Sequence, residues 1–231
     1  MNVIVPAVLP QTRADLEEAL TRLGAVADVT HVQIDLIDGT FAKPATWPYP
    51  GETLELPHAD RFRYDLDLMV MHPEQVIEEW ITLGATRITV HAESTPRLRE
   101  LIAEVKRRHG HEAGFLPDML AFGVALNIDT DLSILDSVVS DIDYVQCMGI
   151  ARIGRQGEPF DPRVLRKIRA LRAKHPTLVI QIDGGVSREN ARALFAAGAN
   201  RLVVGSALLR APNLAAEFAA FKKLYEESAF G

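Results

Sequence analysis

The sequence contains one cysteine, few aromatic residues and no long apolar run. Because Cys147 has no second cysteine to pair with, an internal disulfide is excluded, and a reducing compartment such as the cytoplasm is expected. No window reaches the roughly 18 consecutive apolar residues that span a bilayer. The first residues, Met1 to Pro6, lack the basic and apolar regions of a signal peptide. These absences predict a soluble cytoplasmic protein that does not bind membranes.

The sequence also lacks a basic block. Its 25 Lys and Arg residues are outnumbered by 31 Asp and Glu residues, which gives a formal net charge of −6. A nucleic-acid-binding surface needs clustered cations, so we expect a small-molecule partner and no nucleic acid. The 231 residues are 48% hydrophobic and contain no linker-like stretch, which predicts one domain over residues 1–231.

Short apolar segments alternate with amphipathic ones along the whole chain, which is the pattern of parallel strands joined by helical crossovers. The predicted strands are Val3–Val8, His31–Leu36, Arg63–Met69, Arg87–His91, Ala121–Leu126, Tyr144–Met148, Leu178–Ile182 and Arg201–Val204. The predicted helices are Arg13–Leu23, Pro73–Leu83, Pro96–Arg108, Pro162–Lys174, Ser187–Ala197 and Asn213–Glu227. Eight such units in one domain predict an α/β fold, a (β/α)8 TIM barrel. An open doubly wound sheet is the alternative, but the first turn lacks its Gly-rich fingerprint.

Glycines follow the last two predicted strands. Gly184 and Gly185 come directly after the seventh strand, and Gly205 and Ser206 come after the eighth. Backbone N–H groups at adjacent helix starts favour a phosphate, and barrels carry phosphate sites at this position. The alternative is that these glycines only permit turns.

Three connections are longer than usual, and the loops that follow strands build the active site of a barrel. The segment Asp38–Pro57 follows the second strand and contains aromatic residues and four prolines. The segment Gly149–Pro159 follows the sixth strand and is rich in Gly and Arg, so we interpret it as a mobile lid instead of an ordinary surface loop. The segment His109–Asp118 precedes a strand and is expected on the opposite face.

Polar residues lie near the carboxyl ends of several predicted strands. They are Gln33, Asp35 and Asp38 on the second strand, Asp65 and Asp67 on the third, His91 on the fourth and Asp183 on the seventh. Since side chains alternate along a strand, Gln33 and Asp35 point the same way, and so do Asp65 and Asp67. A buried Asp is costly unless it is paired, bound to a metal or catalytic. Aspartates on three strands, all near one end, therefore predict a functional site.

These motifs resemble the ribulose-phosphate 3-epimerase family in the same order along the chain. The matching segments are Gln33-Ile-Asp-Leu-Ile-Asp-Gly39 for H-x-D-x-M-D-G, Asp67-Leu-Met-Val70 with Pro73-Glu74 for H-L-M-V-x-x-P, Ala85-Thr-Arg-Ile-Thr-Val-His91 for A-x-x-[IV]-T-x-H, Gly123-Val-Ala-Leu-Asn127 for G-x-A-L-N, and Asp183-Gly-Gly-Val186 with Gly205-Ser206 for D-G-G-V and G-S. The resemblance implies a barrel that acts on ketopentose phosphates.

The resemblance also implies the roles of individual residues. The family uses two catalytic aspartates and a divalent metal held by these aspartates and two histidines; the aspartates correspond to Asp35 and Asp183. The histidines correspond to Gln33 and Asp67, and two serines of an amino-terminal motif correspond to Ala7 and Pro10, so none of these four is retained. The family's lid N-P-G-F-G-G-Q is replaced by Ala151-Arg-Ile-Gly-Arg-Gln-Gly157. The implied substrate and phosphate ligands are Gly154, Gln156, Gly184, Gly185, Gly205 and Ser206.

The two replaced histidines change the expected metal. The implied ligands Gln33, Asp35, Asp67 and Asp183 offer only oxygen, which favours Mg²⁺ or Mn²⁺ over Zn²⁺. Without a cation, three crowded carboxylates would repel one another and tend to keep a proton.

The expected function is that of an isomerase which epimerises a phosphorylated ketose at the carbon beside its carbonyl, with Asp35 and Asp183 transferring the proton. One alternative is a sister-branch decarboxylase or aldolase, but Asp35-Leu-Ile-Asp38 lacks the Lys and the spacing of the D-x-K-x-x-D motif of that branch. The other alternative is a non-catalytic phosphosugar binder, which would give the retained carboxylates no clear purpose. Relatives of this kind commonly assemble, so a homo-oligomer is expected.

Overall fold

The structure is a computed structural model that describes residues 3–49, 55–109 and 120–230. Parallel strands form a closed barrel in the order β1 to β8, and β1 pairs with β8. The strands are β1 Ile4–Val8, β2 His31–Ile37, β3 Arg63–Met69, β4 Ala85–His91, β5 Ala121–Leu126, β6 Tyr144–Met148, β7 Val179–Asp183 and β8 Arg201–Val204. The predicted (β/α)8 barrel is confirmed, and closure excludes the open sheet.

Each strand is buried on both faces, as expected for a parallel barrel. In β6 all five residues are buried. Val145 and Cys147 belong to the main hydrophobic cluster together with Ile168 of the helix that follows, whereas Gln146 hydrogen-bonds to Asp67 across the barrel interior. The outward side chains therefore hold the helices, and the inward ones are free to be polar.

The helices largely follow the predicted pattern. They are α1 Arg13–Gly24, α2 Ile77–Thr82, α3 Leu98–His109, α4 Arg163–Lys174, α5 Arg188–Ala197, α6 Ser206–Leu209 and α7 Leu214–Phe230. The helix predicted over Pro73–Leu83 is divided, because Pro73–Gln75 forms a separate 3₁₀ turn. Helix α1 begins where predicted because Thr12 and Asp15 form a capping box.

Two of the connections differ from the predicted alternation. In the described residues, no α-helix lies between β2 and β3, and the connection from β5 to β6 contains only the 3₁₀ turns Leu132–Leu135 and Val139–Asp141. After β2, the fully buried Trp47 takes part in the core and packs edge-on against Trp80 with 6.1 Å between ring centroids. A large aromatic side chain of the loop predicted after the second strand therefore covers the barrel at this point.

The beginning of the loop after β2 is held firmly against the barrel. The carboxylate of Asp38 accepts hydrogen bonds from the backbone N–H groups of Thr40, Phe41 and Met71. The Thr46 hydroxyl accepts a 2.9 Å bond from Ile37 N. The remaining predictions for this loop at residues 50–54, and those for residues 110–118, lie outside the described residues.

The described residues contain no helix that is long and apolar enough to cross a membrane.

A first prediction concerns Gly123, which lies beside Tyr144 in the ladder between β5 and β6. A Cβ atom at this glycine would lie 2.3 Å from the Tyr144 ring, and that ring is buried beneath Arg87. Gly123→Ala should therefore lower the free energy of unfolding by about 1–3 kcal/mol, the usual cost of overpacking a core. Chemical denaturation measures the change.

The matched control is Gly24→Ala, where the nearest atom of another side chain would be 3.7 Å from the new Cβ. This substitution should change the free energy of unfolding by less than about 1 kcal/mol, since it creates no overlap. Equal effects of the two substitutions would contradict the packing argument.

Candidate active site

Three buried carboxylates meet at the carboxyl ends of the strands. Asp35 lies beside Asp67 in the ladder between β2 and β3, and Asp183 is the last residue of β7. One oxygen from each of the three lies within 4.8 Å of the others, and Asp67 is completely buried. The alternation of side chains along β2 and β3 thus brings together the three aspartates that the sequence singled out.

Glutamine amides surround these carboxylates. Gln33 Nε2 donates to Asp35 Oδ1 at 2.8 Å and to Asp183 Oδ2 at 2.6 Å. Gln146 Nε2 donates to Asp67 Oδ2 at 2.8 Å and more weakly to Asp183 Oδ2 at 3.4 Å. The acids are therefore hydrogen-bonded by neutral donors, which soften their mutual repulsion without cancelling their charge.

His91 is the one imidazole at this end of the barrel interior in the described residues. Its Nε2 lies 3.2 Å from Asp67 Oδ1, and its Nδ1 lies 3.8 Å from Glu93 Oε2. Burial alone lowers the pKa of His91, but the charge of Asp67 and its close contact with the ring outweigh burial, so the pKa is raised. The ring therefore holds a proton more readily than a free imidazole does.

The protonation of the acids follows from their burial. Desolvation first, and then the charges of Asp183 and Asp67, raise the pKa of Asp35 well above its usual range. Desolvation and the charge of Asp67 also raise the pKa of Asp183 to about 7, although the Gln33 hydrogen bond acts in the opposite direction. Near neutral pH, this cluster therefore holds at least one proton when no cation is bound.

The predicted phosphate loops line the same cavity as Asp35, Asp67 and Asp183. Gly184 and Gly185 have φ values of +95° and +67°, which favour glycine. Neighbouring atoms also leave no room for a larger residue at either position. A Cβ at Gly184 would lie 2.7 Å from Ile150, and one at Gly185 would lie 2.7 Å from Phe160. Gly205 and Ser206, at the start of α6, complete this wall of the cavity.

The predicted lid also reaches the cavity, through Gly154, Gln156 and the exposed Arg155. Gln156 Nε2 donates to the carbonyl oxygen of Ala7 at 3.3 Å. At the base of the lid, Gly149 N donates to the carbonyl oxygen of Asp183 at 2.6 Å, and a Cβ at Gly149 would lie 2.4 Å from Gly184 O. The base of the predicted lid thus contacts the end of β7, which carries Asp183, while the mobility of the lid stays a prediction.

The carboxylates fit a divalent metal ion. Asp67 Oδ1 and His91 Nε2 are both buried and, within the described residues, neither makes a hydrogen bond of good geometry. A buried carboxylate oxygen whose only close contact to a donor group in the described residues is the ring of His91, and which lies beside two further carboxylates, is well placed to bind a cation. Gln33 differs from these acids, because its amide nitrogen faces them as a donor. To act as the predicted metal ligand, its side-chain amide would have to flip so that the oxygen faces the acids.

Two aspartates that the sequence placed near the strand ends lie outside the cluster. Asp38 binds loop N–H groups, as described above. Asp65 lies one layer deeper in the barrel, where its Oδ2 is 2.6 Å from Arg201 and 3.4 Å from Arg87. Both therefore have structural partners.

Sequence reasoning missed Gln146 and Gln181, which complete the amide network. The alternation along β6 and β7 could have found them, because Gln146 is two residues before Met148 of the cavity wall and Gln181 is two residues before Asp183. It also missed Met69 and Met148, which supply apolar surface to the cavity.

A closed parallel barrel with clustered acids and glycine loops at its carboxyl end belongs to the class of (β/α)8-barrel enzymes, in which this face carries the active site. Residues 3–209 match the model of the ribulose-phosphate 3 epimerase family. The chain therefore belongs to this family, as the sequence motifs indicated.

Curated relatives support the same assignment. The ribulose-phosphate 3-epimerase of Schizosaccharomyces pombe is 32% identical over 211 residues, which cover 90% of this chain and 87% of the relative. The ribulose-phosphate 3-epimerase of Synechocystis is 32% identical over 226 residues, which cover 92% of this chain and 90% of the relative. The prediction of a phosphosugar epimerase, an isomerase, is confirmed at the level of the family, and the roles of individual residues stay predictions.

Solved structures confirm the fold. A structure of KGPDC from Streptococcus mutans has a TM-score of 0.71 at 14% identity, covering 100% of this chain and 99% of that one. The 3-hexulose-6-phosphate synthase from Salmonella typhimurium has a TM-score of 0.66 at 16% identity, covering 98% and 99%. At these identities the likeness extends to the barrel and not to the reaction.

A second prediction concerns the stability of the metal-free protein. Because the pKa of Asp183 in the folded state, about 7, lies above its ordinary value of 3.8, the folded state retains a proton that the unfolded state releases. The contribution to stability is complete below pH 4 and is lost as the pH rises through 7. Asp183→Asn removes this loss, so at pH 8 the variant should be more stable than the wild type.

The expected gain at pH 8 is on the order of 1–4 kcal/mol, since one pKa unit corresponds to about 1.4 kcal/mol. Denaturation in the presence of a chelator, at pH 4 and at pH 8, measures it. The two proteins should differ little at pH 4, where Asp183 is protonated in the folded state and still partly protonated in the unfolded state. A difference of the same size at both pH values would refute the assignment of a raised pKa to Asp183.

Proposed function

We propose that this protein interconverts two epimers of a phosphorylated ketose at the carbon beside the carbonyl. The observation that carries the proposal is the pairing of Asp35 and Asp183 in one cavity, linked by a single amide of Gln33. Epimerisation needs one group that removes a proton and a second that returns one from the other side. Two carboxylates in the same cavity supply both groups.

The electrostatics of the site support a division of roles between these acids. The raised pKa values of Asp35 and Asp183 mean that a proton is shared within the cluster near neutral pH. One carboxylate is then ionised and accepts the substrate proton, while the other is protonated and donates. After turnover the roles are exchanged, which is what a reversible epimerase requires.

The glycine-rich loops of the cavity support a phosphate-binding role. Gly184, Gly185, Gly205 and Ser206 line the cavity, and backbone N–H groups at helix starts favour a phosphate. Gly154, Arg155 and Gln156 of the lid approach the same space, and the guanidinium of Arg155 would favour a dianion. A phosphate held here would orient the ketose toward Asp35 and Asp183.

Asp35, Asp67 and Asp183 would hold a divalent metal ion, with Mg²⁺ or Mn²⁺ preferred over Zn²⁺ because every acid offers oxygen. Such an ion would stabilise the negative charge that develops on the substrate oxygens. The residues of the chain itself position the acids and move the proton.

A third prediction tests the proton transfer. In D₂O, the wild-type protein should incorporate deuterium at the epimerised carbon starting from either epimer of a ketopentose phosphate. Asp35→Asn should lower the rate of incorporation from one epimer, and Asp183→Asn should lower the rate from the other. Each rate should fall by about 10²–10⁴-fold, the usual contribution of a positioned acid or base. NMR of the recovered sugar follows the exchange.

Asp65→Asn is the matched control, because Asp65 lies one layer deeper and pairs with Arg201. The folded fraction of the Asp65→Asn protein should still exchange deuterium into the substrate. Exchange at the wild-type rate in both Asp35→Asn and Asp183→Asn would show that these residues do not move the proton.

A fourth prediction concerns the metal. Protein stripped by a chelator should regain activity with Mg²⁺ or Mn²⁺ to a greater extent than with Zn²⁺, because hard cations prefer oxygen ligands. Asp67→His adds a nitrogen ligand and should shift the preference toward Zn²⁺. Metal content by mass spectrometry and reactivation by each ion are the measurements. Stoichiometric zinc in the purified wild-type protein, or full activity in chelator, would contradict the prediction.

Catalysis and simple binding of a phosphosugar give different results. A non-catalytic binder would be stabilised against thermal unfolding by phosphate esters without any deuterium exchange. We favour the enzyme because the acids have raised pKa values and line the cavity itself. Cytoplasmic localisation and homo-oligomerisation are also proposed, and light scattering of the purified protein tests the second.

A further inference from the structure

Three glutamines form a continuous layer beneath the acid cluster. Gln33, Gln146 and Gln181 come from three different strands, and each is completely buried. Gln181 Nε2 donates to Gln146 Oε1 at 2.7 Å and to Gln33 Oε1 at 3.3 Å. Gln181 does not line the cavity in the described residues; its side-chain hydrogen bonds there go to the other two amides.

The hydrogen bonds in this layer all run in one direction. Gln181 uses its two N–H groups on the oxygens of Gln33 and Gln146. Those residues then direct their own N–H groups toward the carboxylates of Asp35, Asp67 and Asp183. Since an amide has an acceptor at one end and donors at the other, fixing the oxygens below fixes the donors above.

This arrangement leaves one polar atom of Gln181 without a hydrogen bond within the described residues. Its Oε1 is buried and, in the described part of the chain, has no hydrogen-bond partner. A buried acceptor without a donor lowers the stability of the folded state. An apolar side chain at this position would remove that unpaired acceptor but would leave the buried oxygens of Gln33 and Gln146 without a donor, so the amide of Gln181 serves the two glutamines that it holds.

We propose that Gln181 is a positioning residue that sets the orientation of the Gln33 and Gln146 amides, so that both act as donors to the carboxylates of the active site. Gln33 then functions as a bridge between Asp35 and Asp183 and not as a metal ligand. The part of this inference that concerns catalysis rests on the proposed epimerase function.

The first experiment observes the amides directly and does not depend on activity. Protein labelled with ¹⁵N-glutamine gives side-chain NH₂ signals, and those of Gln33 and Gln146 are assigned from the signals that Gln33→Met and Gln146→Met remove. In the wild type, both pairs of protons should exchange slowly with solvent, because they are buried and bonded to carboxylates. Gln181→Met should shift both sets of signals, since it removes the donors that hold their oxygens.

Addition of saturating Mg²⁺ to the labelled wild-type protein separates a donor from a ligand. If Gln33 is a donor, its N–H protons stay protected. If Gln33 coordinates the ion through its oxygen, the amide must turn over and its N–H groups lose their carboxylate partners. Loss of protection at Gln33 on addition of Mg²⁺ would therefore overturn the assignment.

The second experiment measures kinetics. Gln181→Met should lower kcat by roughly 10–100-fold, the usual effect of removing a group that orients active-site ligands, with little change in KM because the phosphate wall is untouched. Gln181→Glu, which has nearly the same shape but offers an ionisable acceptor, should lower kcat further, since it reverses the orientation of both amides.

Tyr144→Phe is the matched control, because it removes a buried hydrogen bond of 2.7 Å to Thr89 inside the same barrel without touching the glutamine layer. It should leave the NH₂ signals of Gln33 and Gln146 and the value of kcat close to those of the wild type. An equal loss of kcat in Tyr144→Phe and Gln181→Met would overturn the positioning role, as would unchanged NH₂ signals in Gln181→Met. If the wild type itself catalyses no exchange, the proposed function fails while the amide signals still decide the orientation.

Discussion

The repulsion among three carboxylates buried at one end of a barrel is the constraint on which this site depends. Asp35, Asp67 and Asp183 lie within 4.8 Å of one another, and their surroundings offer amides but no arginine or lysine among the hydrogen bonds described. Such a cluster is stable only if it keeps protons or binds a cation. Both solutions are useful for chemistry, because the first supplies an acid and the second stabilises negative charge. The same crowding that costs stability therefore creates the reactivity.

The layer below shows the opposite solution to buried charge. Asp65 is paired with Arg201 at 2.6 Å, and Arg87 lies over the Tyr144 ring at 4.0 Å. There the Asp65 carboxylate has a cationic partner inside the barrel, so the pair is structural. Gln33 and Gln181 lie at the same level, opposite Asp65 and Arg201 in the ladders, and the amide of Gln33 reaches from this level to the acid cluster. The barrel interior thus changes from structural to functional within a few residues of each strand.

Much of the fold could be predicted from sequence because strand and helix periodicities are strong here. The bounds of β3, β5, β6 and β8 agree with the prediction residue for residue. The convergence of Asp35, Asp67 and Asp183 also followed from the alternation of side chains along strands. A long loop was predicted after β2, but the burial of its Trp47 in the core was not predicted. Other features depend on three-dimensional neighbours that a sequence pattern does not contain. The orientation of the Gln33 amide is one of them, because it is decided by Gln181, which is 148 residues away in the chain.

The seat of the lid has a mechanical consequence. Gly149 N is bonded to the backbone oxygen of Asp183 at 2.6 Å, and no side chain fits between Gly149 and Gly184. The base of the proposed lid and the end of β7 are therefore joined at the backbone, with no side chain between them. In the proposed function, a lid that moved onto a bound phosphate would act on the backbone of Asp183 through this contact. A sugar without the phosphate group would not move the lid in this way.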